Sequence, residues 1–356
     1  MKISTPGRIC LFGEHQDYLG LPVIASAISK RIYITGEKRN DDKIIIHKPN
    51  TKQKEEFKLT NPLVYDKKRD YFKSAITVLR KQGFEFSSGF EISIDGNIPI
   101  NSGTSSSSAL LVSWLHFLTQ MADNAKTVSR KQLGEWAYQA EVLEFGEPGG
   151  MMDQYSTAIG NVIYLESVPE MRVETLTPKL GTFVLGDSRQ PKDTLKILQH
   201  VKFGMLAAID KIKAFDPNFD LTSTSLHQAD DYHSVLSADE MILLKGNLSD
   251  RDILRTALTM FRTGIVDDQI LGNLLNIHQN SLRDAKRVST SKIDKMIEVA
   301  LKAGALGGKI NGSGGGGCMF VYAPKNADSV AEAIEREVTD TKAYIIDNEE
   351  GSRIEA

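Results

Sequence analysis

The chain has 356 residues, of which 41% are apolar and 25% charged, a globular composition in a length that favours more than one core. A formal net charge of −3 argues against a protein that coats nucleic acid, and no apolar run is long enough to span a membrane. Two cysteines exclude a disulfide framework and fit a reducing compartment, so we expect a cytoplasmic protein of two domains.

The N-terminal segment combines strand-like residues with a polar loop. Residues 2–4 and 8–12 predict a short strand that Pro6-Gly7 interrupts, and no secretory leader is predicted there. A glycine-punctuated turn extends to residue 20, and four polar residues cluster in or before it: Arg8, Glu14, His15 and Asp17. Such a cluster is commonly a solvated loop, but the apolar runs on both sides anchor this one to a core, where binding groups concentrate.

Strand patterns surround one helix in the next part of the chain. Apolar runs at 24–34, 43–47 and 57–59 predict strands, and residues 90–95 alternate apolar and polar side chains as a strand does. Residues 71–82 predict a helix that ends at Gly83. Its apolar face is formed at helical spacing by Phe72, Ala75, Ile76 and Leu79.

A serine-rich loop, residues 99–109, leads into an apolar helix. The loop contains one glycine and a run of hydroxyl residues: Gly103, Thr104, Ser105, Ser106, Ser107 and Ser108. Glycine permits backbone conformations that other residues avoid, and serines suit the first turn of a helix. The N–H groups and the positive dipole end of that helix favour an anion, so the loop predicts a phosphate site. The alternative is a surface turn with an ordinary N-cap.

Two acidic residues follow in a second helix and a tight loop. Residues 130–144 predict a helix in which Glu141 interrupts an apolar face. A loop of glycines and a proline comes next, and Asp153 stands where a helix begins, a position at which its ordinary role is an N-terminal cap. Strands are predicted at 162–165 and 182–185, and helical periodicity dominates from 193 to about 304. We therefore place a domain boundary near residue 185.

A glycine-rich segment, residues 303–318, precedes a strand at 319–322. It contains Gly312-x-Gly314-x-x-Gly317, but a dinucleotide fingerprint follows a strand and opens a helix, whereas this segment is expected to follow a helix. Gly308-Lys309 lacks the following Ser or Thr of a P-loop, and Asn311 stands where a nucleophile elbow requires glycine. NAD binding and an elbow nucleophile are therefore not predicted, and the scattered histidines predict no metal site.

Three segments in this order resemble the GHMP kinases, a family named for galactokinase, homoserine kinase, mevalonate kinase and phosphomevalonate kinase. Residues 103–109 resemble the family's phosphate-binding motif. Residues 304–318 resemble its third, glycine-rich motif, which implies that Gly314 supports the nucleotide site. The resemblance implies an α/β (α+β) fold of two domains, 1–185 and 186–356, with ATP and substrate bound in the cleft between them.

Within the family, the N-terminal segment is similar to the galactokinase signature, Gly-Glu-His-x-Asp-Tyr-x-Gly. The similarity implies that Arg8, Glu14, His15 and Asp17 line a sugar site. Residues 150–154 resemble the segment that carries the galactokinase catalytic aspartate, which falls on Asp153. Arg8 would then supply a permanent cation that holds Asp153 ionised or stabilises developing charge.

The resemblance also implies a Mg²⁺ site. Glu141 matches the family's acidic ligand and Ser107 its serine ligand. Both offer the hard oxygen atoms that Mg²⁺ prefers.

Some residues depart from the galactokinase pattern. Gln16 stands where galactokinases often have Thr, and Cys10 where they often have Asn. Gly186-Asp-Ser188, followed by Lys192-Asp-Thr194, is more similar to mevalonate kinases. We therefore expect a kinase that transfers the γ-phosphoryl group of ATP to the anomeric hydroxyl of galactose or a related sugar. The alternatives are a mevalonate-type kinase and a sugar and ATP sensor without turnover. No other partner is implied, and no pattern predicts an oligomeric state.

Overall fold

The computed structural model describes residues 1–99, 103–147, 149–191, 197 and 199–356. Its strands are β1 Lys2–Phe12, β2 Val23–Lys38, β3 Lys43–Lys48, β4 Gln53–Lys58, β5 Phe90–Gly96, β6 Val162–Glu166, β7 Arg172–Leu176, β8 Phe183–Asp187, β9 Gly307–Ile310, β10 Cys318–Tyr322, β11 Lys342–Ile346 and β12 Arg353–Ile354. Its α-helices are α1 Tyr71–Lys81, α2 Ser106–Met121, α3 Arg130–Tyr138, α4 Met152–Ile159, α5 Gly204–Phe215, α6 Ala238–Arg262, α7 Asp268–Asp284, α8 Ser291–Lys302 and α9 Ala327–Glu337. This is the two-domain α/β fold predicted from the sequence.

The first sheet carries the N-terminal half of the chain. Its strand order is β12-β1-β2-β5-β3-β4, and β6 pairs with both β2 and β7. All its pairs are antiparallel except β3 with β5. Helices α1, α2 and α3 pack on it through a core that includes Phe72, Trp114 and Trp136. The sheet therefore fixes where β1 ends and where α2 begins.

The second sheet has the order β11-β8-β10-β9, and all its pairs are antiparallel. Helices α8 and α9 cover one side of it through a core that includes Val184, Met296, Val321 and Ile334. A third core contains residues from both sheets and from the helices α6 and α7: it includes Phe12 of β1 and Phe320 of β10. Apolar contacts therefore join the end of β1 to the second sheet.

Several predicted elements are present with shifted limits. The helix at 71–82 and the strand at 90–95 are confirmed as α1 and β5. Residues 2–12 form one continuous strand, because Pro6 and Gly7 are absorbed by a register shift between Pro6 and Arg8 in the pairing with β2. The predicted helix over 130–144 is wrong in its second part: α3 ends at Tyr138 and a π-helical turn, Gln139–Leu143, follows.

The glycine-rich segment, residues 303–318, begins directly after α8, as expected, and it contains β9, so its glycines 312, 314 and 317 lie between β9 and β10. No helix opens after it, which agrees with the rejection of a dinucleotide fingerprint. The expected boundary near 185 falls inside β8, which pairs entirely within the second sheet. The chain end returns to the first sheet, where β12 pairs with β1. The segment 192–194 lies outside the described residues. No helix among the residues described is long and apolar enough to cross a membrane.

Candidate active site

A cavity of about 310 Å³ lies where the loop after β1 meets α2, α4 and the β9–β10 connection. This volume suits a small-molecule ligand. It is lined by residues of both halves of the chain: Arg8, Glu14, His15, Asp17, Tyr18, Arg69, Tyr71, Ser107, Ser108, Glu141, Val142, Glu147, Gly149, Gly150, Met152, Asp153, Gln154, Gly312 and Ser313. The fold thus brings residues that are far apart in sequence to one site: Arg8, the residues of the loop after β1, Glu141 and Asp153.

Arg8 and Asp153 form an ion pair at the centre of the cavity. Nε and Nη2 of Arg8 donate to Oδ1 of Asp153 at 3.0 and 2.7 Å. The Arg8 side chain is buried, whereas that of Asp153 is 35% exposed. Burial lowers the pKa of Arg8, but the neighbouring acidic groups, Asp153 first, together raise it above its ordinary value. Both contacts use Oδ1 of Asp153.

The loop after β1 presents His15 and Asp17 to the cavity. The ring of His15 bridges the Tyr18 hydroxyl at 2.9 Å and the Ser313 carbonyl at 3.1 Å. Asp17 lies against Gly150, where an added Cβ would be 1.5 Å from the Asp17 carboxylate. Burial, and then the Asp153 carboxylate, raise the pKa of Asp17 from 3.8 to about 6. Asp17 and Asp153 therefore act on each other electrostatically across one site.

Glu14 contributes to the cavity wall, but its side chain is only 1% exposed. Its carboxylate is paired with the buried Lys309 of β9. That Glu14 hydrogen-bonds sugar hydroxyls remains a prediction, and the burial of the Glu14 side chain does not favour this role.

The serine loop is held from two sides. Gly103 has a φ of +85°, and its carbonyl accepts hydrogen bonds from the Arg8 guanidinium and from Asn311 Nδ2, the latter at 2.9 Å. The Thr104 carbonyl accepts from the Arg8 backbone N–H at 3.1 Å. α2 begins at Ser106 after Ser105, whose φ is +59°, and no side chain caps its N-terminus. Asn101 and Ser102 lie outside the described residues.

The N–H groups in the first turn of an α-helix have no partner within the helix, so the start of α2 offers hydrogen-bond donors next to the loop. Ser107 and Ser108 line the cavity, whereas Thr104 and Ser105 are buried. Gly314, predicted to support the nucleotide, has a φ of +78° and packs against Val288, which an added Cβ would approach to 2.6 Å. Gly312 and Ser313 reach the cavity in its place.

Glu141 is buried in the π-helical turn, beside α2. Its Oε2 accepts hydrogen bonds of 2.7 Å from Ser108 Oγ and from Gln154 Nε2. Burial raises the pKa of Glu141, although these hydrogen bonds oppose the rise. Ser107 lies on the same wall. A carboxylate and a hydroxyl beside a helix N-terminus fit Mg²⁺, which keeps water and substrate oxygens as most of its ligands. No group of three His, Cys, Asp or Glu within the described residues could hold a metal ion by itself.

A second cavity of about 180 Å³ adjoins the first through Arg69 and Tyr71. It is lined by aromatic and cationic side chains: Lys48, Lys67, Arg69, Tyr71, Phe72 and Trp114, with Leu110 and Leu111 of α2. Arg69 has a φ of +58° and bonds the Glu147 carboxylate at 2.8 and 2.7 Å. Aromatic walls next to cations suit a nucleobase and its phosphates.

Several residues of the site carry no functional pattern in the sequence. Tyr18 and Arg69 stand beside predicted elements and Tyr71 begins the predicted helix, and only the folded chain brings them to the cavity. Asn311 bonds the backbone on both sides: its Oδ1 accepts from the Cys10 N–H at 2.9 Å, and its Nδ2 donates to the Gly103 carbonyl. An asparagine in a glycine-rich turn, which can bond backbone groups on both sides, is the signal that was available.

Three family models match the chain. The GHMP kinases N terminal domain matches residues 70–161, and the GHMP kinases C terminal model matches residues 266–340. The galactokinase galactose-binding signature matches residues 2–38. The matched segments contain Arg8, Glu14, His15, Asp17, the serine loop, Glu141, Asp153 and the glycine-rich segment.

Curated relatives fall into two groups. Mevalonate kinase of Thermococcus gammatolerans is 28% identical, with 93% of this chain and 91% of the relative covered. Galactokinase of Clostridium beijerinckii is 26% identical, with 98% and 93% covered. Among solved structures, Lactococcus lactis galactokinase complexed with galactose has a TM-score of 0.83 and 24% identity, covering 99% of this chain and 94% of that one. The fold is therefore shared with both groups of kinases.

Proposed function

Because the chain belongs to the GHMP kinases, a family of phosphotransferases that use ATP, we propose that it phosphorylates a neutral monosaccharide at the anomeric hydroxyl. Galactose or a close relative is the leading candidate. The observation that carries the proposal is the charge of the cavity. Both arginines that line it already have carboxylate partners, Asp153 for Arg8 and Glu147 for Arg69, and Asp17 adds a further anion.

A neutral polyol suits that environment better than an anionic substrate does. A carboxylate placed near Asp17 and Asp153 would be repelled, whereas sugar hydroxyls would donate hydrogen bonds to both. His15 adds a ring that bonds its neighbours through both nitrogens. Sites that pair every hydroxyl of a substrate discriminate strongly against analogues lacking one.

In the proposed reaction, Asp153 orients the sugar hydroxyl and accepts its proton at Oδ2 as the oxygen attacks the γ-phosphorus of ATP. The bond from the γ-phosphorus to the β–γ bridging oxygen breaks, and ADP leaves with its electron pair. Arg8 holds the Asp153 side chain in place through its two contacts with Oδ1. The N-terminus of α2 and the backbone of the Gly103 loop would receive the phosphates. The cavity beside Tyr71 and Trp114 would take the adenine ring. Phosphoryl transfer requires this positioning more than it requires covalent chemistry.

Mg²⁺ belongs to the same proposal, with Glu141 and Ser107 as the residues that would hold it. When bound, it would neutralise charge on the phosphates of ATP. Ser108 and Gln154 fix the Glu141 carboxylate by hydrogen bonds, so the chain keeps an oxygen ligand ready beside α2.

A mevalonate-type kinase is the second candidate. It is favoured by the mevalonate kinases among the curated relatives, which are as similar in sequence as the galactokinases are. Its substrate carries a carboxylate, which would have to displace one of the existing partners of Arg8 or Arg69.

An ATP-consumption screen over monosaccharides, uronic acids and mevalonate tests the proposal. We expect turnover with a neutral hexose, and phosphorus NMR of the product should show an anomeric sugar phosphate. Turnover with mevalonate alone would establish the second candidate. Calorimetric binding of a sugar and ATP without turnover would instead identify a sensor.

A further inference from the structure

Arg69 lies at the junction of the two cavities described above. It lines the first cavity together with Glu147 and the second together with Lys67 and Trp114. Tyr71 is the other residue that the two cavities share. A nucleotide whose base occupied the second cavity, and whose phosphates reached the start of α2, would therefore extend past the Arg69 side chain.

The first cavity has few cations for a ligand of high negative charge. Five residues with a carboxyl group line it, whereas Arg8 and Arg69 are its only arginine or lysine residues among those that the structure describes. Arg8 is buried, and each of its three guanidinium nitrogens already donates to Asp153 or to the Gly103 carbonyl. The Arg69 side chain is 52% exposed, so it is the arginine that a ligand can still reach.

The contact with Glu147 uses only part of the Arg69 guanidinium. Nε and Nη2 donate to the two carboxylate oxygens of Glu147 at 2.8 and 2.7 Å. A guanidinium has five N–H donors in one plane, so three remain, and Nη1, which carries two of them, bonds no group in the described parts of the chain. The Glu147 N–H donates to the Val142 carbonyl at 3.0 Å, which anchors the partner. A held guanidinium with donors to spare suits phosphate oxygens.

The backbone of Arg69 is also fixed. Its φ of +58° is one that residues with a side chain rarely adopt, and such conformations persist where the surrounding structure holds them. Lys73, which is 6% exposed, supplies that constraint. Its ammonium group donates to the Val64 carbonyl at 3.0 Å and lies 2.8 and 3.3 Å from the carboxylates of Asp66 and Asp70. Because the turn is anchored in advance, a ligand that contacts Arg69 has little of it left to order.

We propose that Arg69 binds the phosphate chain of the nucleotide through Nη1, and that Glu147 is a positioning residue that holds the guanidinium between the two cavities. This role rests on the proposed function, because it takes the second cavity as the site of the base.

Calorimetric titration with adenosine, AMP, ADP and a non-hydrolysable ATP analogue, each with Mg²⁺, tests this role. Arg69→Met should weaken the binding of ADP and of the ATP analogue by about tenfold or more, the scale of a lost hydrogen bond to a charged group. The affinity for adenosine should stay that of the wild type, because adenosine has no phosphate. If Arg69→Met weakens the binding of adenosine as much as that of ADP, Arg69 shapes the base site and the proposal is wrong.

Arg262→Met is the matched control. Arg262 bonds Glu174 through the same two nitrogens, at 3.1 and 2.6 Å, and its side chain is 45% exposed, but it lies at the end of α6 and lines neither cavity. This variant should bind all four ligands as the wild type does. Equal weakening of ADP binding in Arg69→Met and Arg262→Met would show a general effect of lost charge and overturn the proposal.

A double variant separates direct contact from neutralisation of Glu147. In Arg69→Met the carboxylate of Glu147 loses its partner, and its charge would itself repel phosphates. Arg69→Met combined with Glu147→Gln removes that charge, and we expect it to bind ADP about tenfold more weakly than Glu147→Gln alone. Equal affinity in these two variants would show that Arg69 only neutralises Glu147, which would overturn the proposal.

The wild-type titrations distinguish this role from the proposed function. A wild-type protein that binds none of the four ligands would overturn both. Wild-type binding of ADP that folded Arg69→Met leaves unchanged would overturn the role of Arg69 alone.

Discussion

Asp17 carries a carboxylate whose charged form the cavity disfavours. Its pKa in the folded protein is raised to about 6 by burial and by Asp153, from 3.8. The folded state therefore binds a proton more tightly than the unfolded state does, and stability falls as the pH rises from about 4 to about 6. At neutral pH, the unfavourable contribution of the ionised Asp17 to the free energy of folding is therefore fully present. A cavity that keeps the Asp17 carboxylate in this environment is stabilised less than its packing would allow.

Replacing Asp17 by Asn should remove this unfavourable contribution. We expect Asp17→Asn to raise the free energy of unfolding at pH 8 by on the order of 2 kcal/mol, and to change it little at pH 4. The Tyr18 N–H donates to Oδ1 of Asp17 at 2.9 Å, and the amide oxygen of Asn can accept the same hydrogen bond. Urea unfolding at both pH values measures the difference. Equal effects at the two pH values would show that the charge of Asp17 is not the cause.

Asp153 is predicted to be needed for the chemical step and not for folding. We expect Asp153→Asn to lower kcat by roughly 100-fold or more, the scale of a lost general base. Calorimetric ATP binding should be retained, because the amide keeps the shape of the side chain. The N-cap of α4 is Met151, so a capping role for Asp153 is not expected to confuse the result. A lower melting temperature with normal kcat would instead indicate that the Arg8–Asp153 pair is structural.

At the scale of elements, the spacing of apolar residues in the sequence predicted those helices and strands that bury one face. α1 follows its periodicity because it buries one face against the first sheet, and β5, a strand of that sheet, buries Phe90 and Ile92 in the same core. The π-helical turn at Gln139–Leu143 was not predictable, since its residues continue a helical pattern and only the packing of Glu141 against Ser108 distinguishes it. The ion pair between Glu14 and Lys309 spans 295 positions in the sequence, beyond any window of local pattern.

The loop before α2 should depend on its glycine. Gly103 has a φ of +85° and offers its carbonyl to Arg8 and Asn311. We expect Gly103→Val to abolish measurable binding of a non-hydrolysable ATP analogue by calorimetry, because valine disfavours that φ and displaces the loop backbone. Gly83→Val is the matched control, because Gly83 has a φ of +81° with no heavy atom within 4 Å of an added Cβ. Nucleotide affinity equal to wild type in folded Gly103→Val would exclude this loop as the phosphate site.

At the scale of the whole molecule, the last residues complete the first sheet. Arg31, buried in β2, donates to the carbonyls of Glu350 and Gly351 at 2.9 and 2.7 Å. Thr5 of β1 bonds Ser352 at 3.0 Å. Composition and charge predicted a globular protein, but no local pattern indicated that the final segment belongs to the first half of the fold.

Two truncations test that segment. Ending the chain after Asp347 should lower the free energy of unfolding by about 3 kcal/mol or more, because the buried Arg31 loses its carbonyl partners. Ending it after Ser352 keeps those carbonyls and removes β12, so the loss should be about 1 kcal/mol. Urea unfolding midpoints measure both. Equal losses would show that β12, and not the contacts of Arg31, stabilises the chain end.

The pairing of β1 with β12 also constrains the order in which the protein can fold. Ile3 pairs with Ile354, so the ribosome releases the first strand long before its edge partner exists. Contacts this distant in sequence slow folding and leave an unpaired strand edge exposed meanwhile. A nascent chain halted within α9 should therefore hold β1 and β2 together but leave β1 open to proteases or holdase chaperones until translation proceeds.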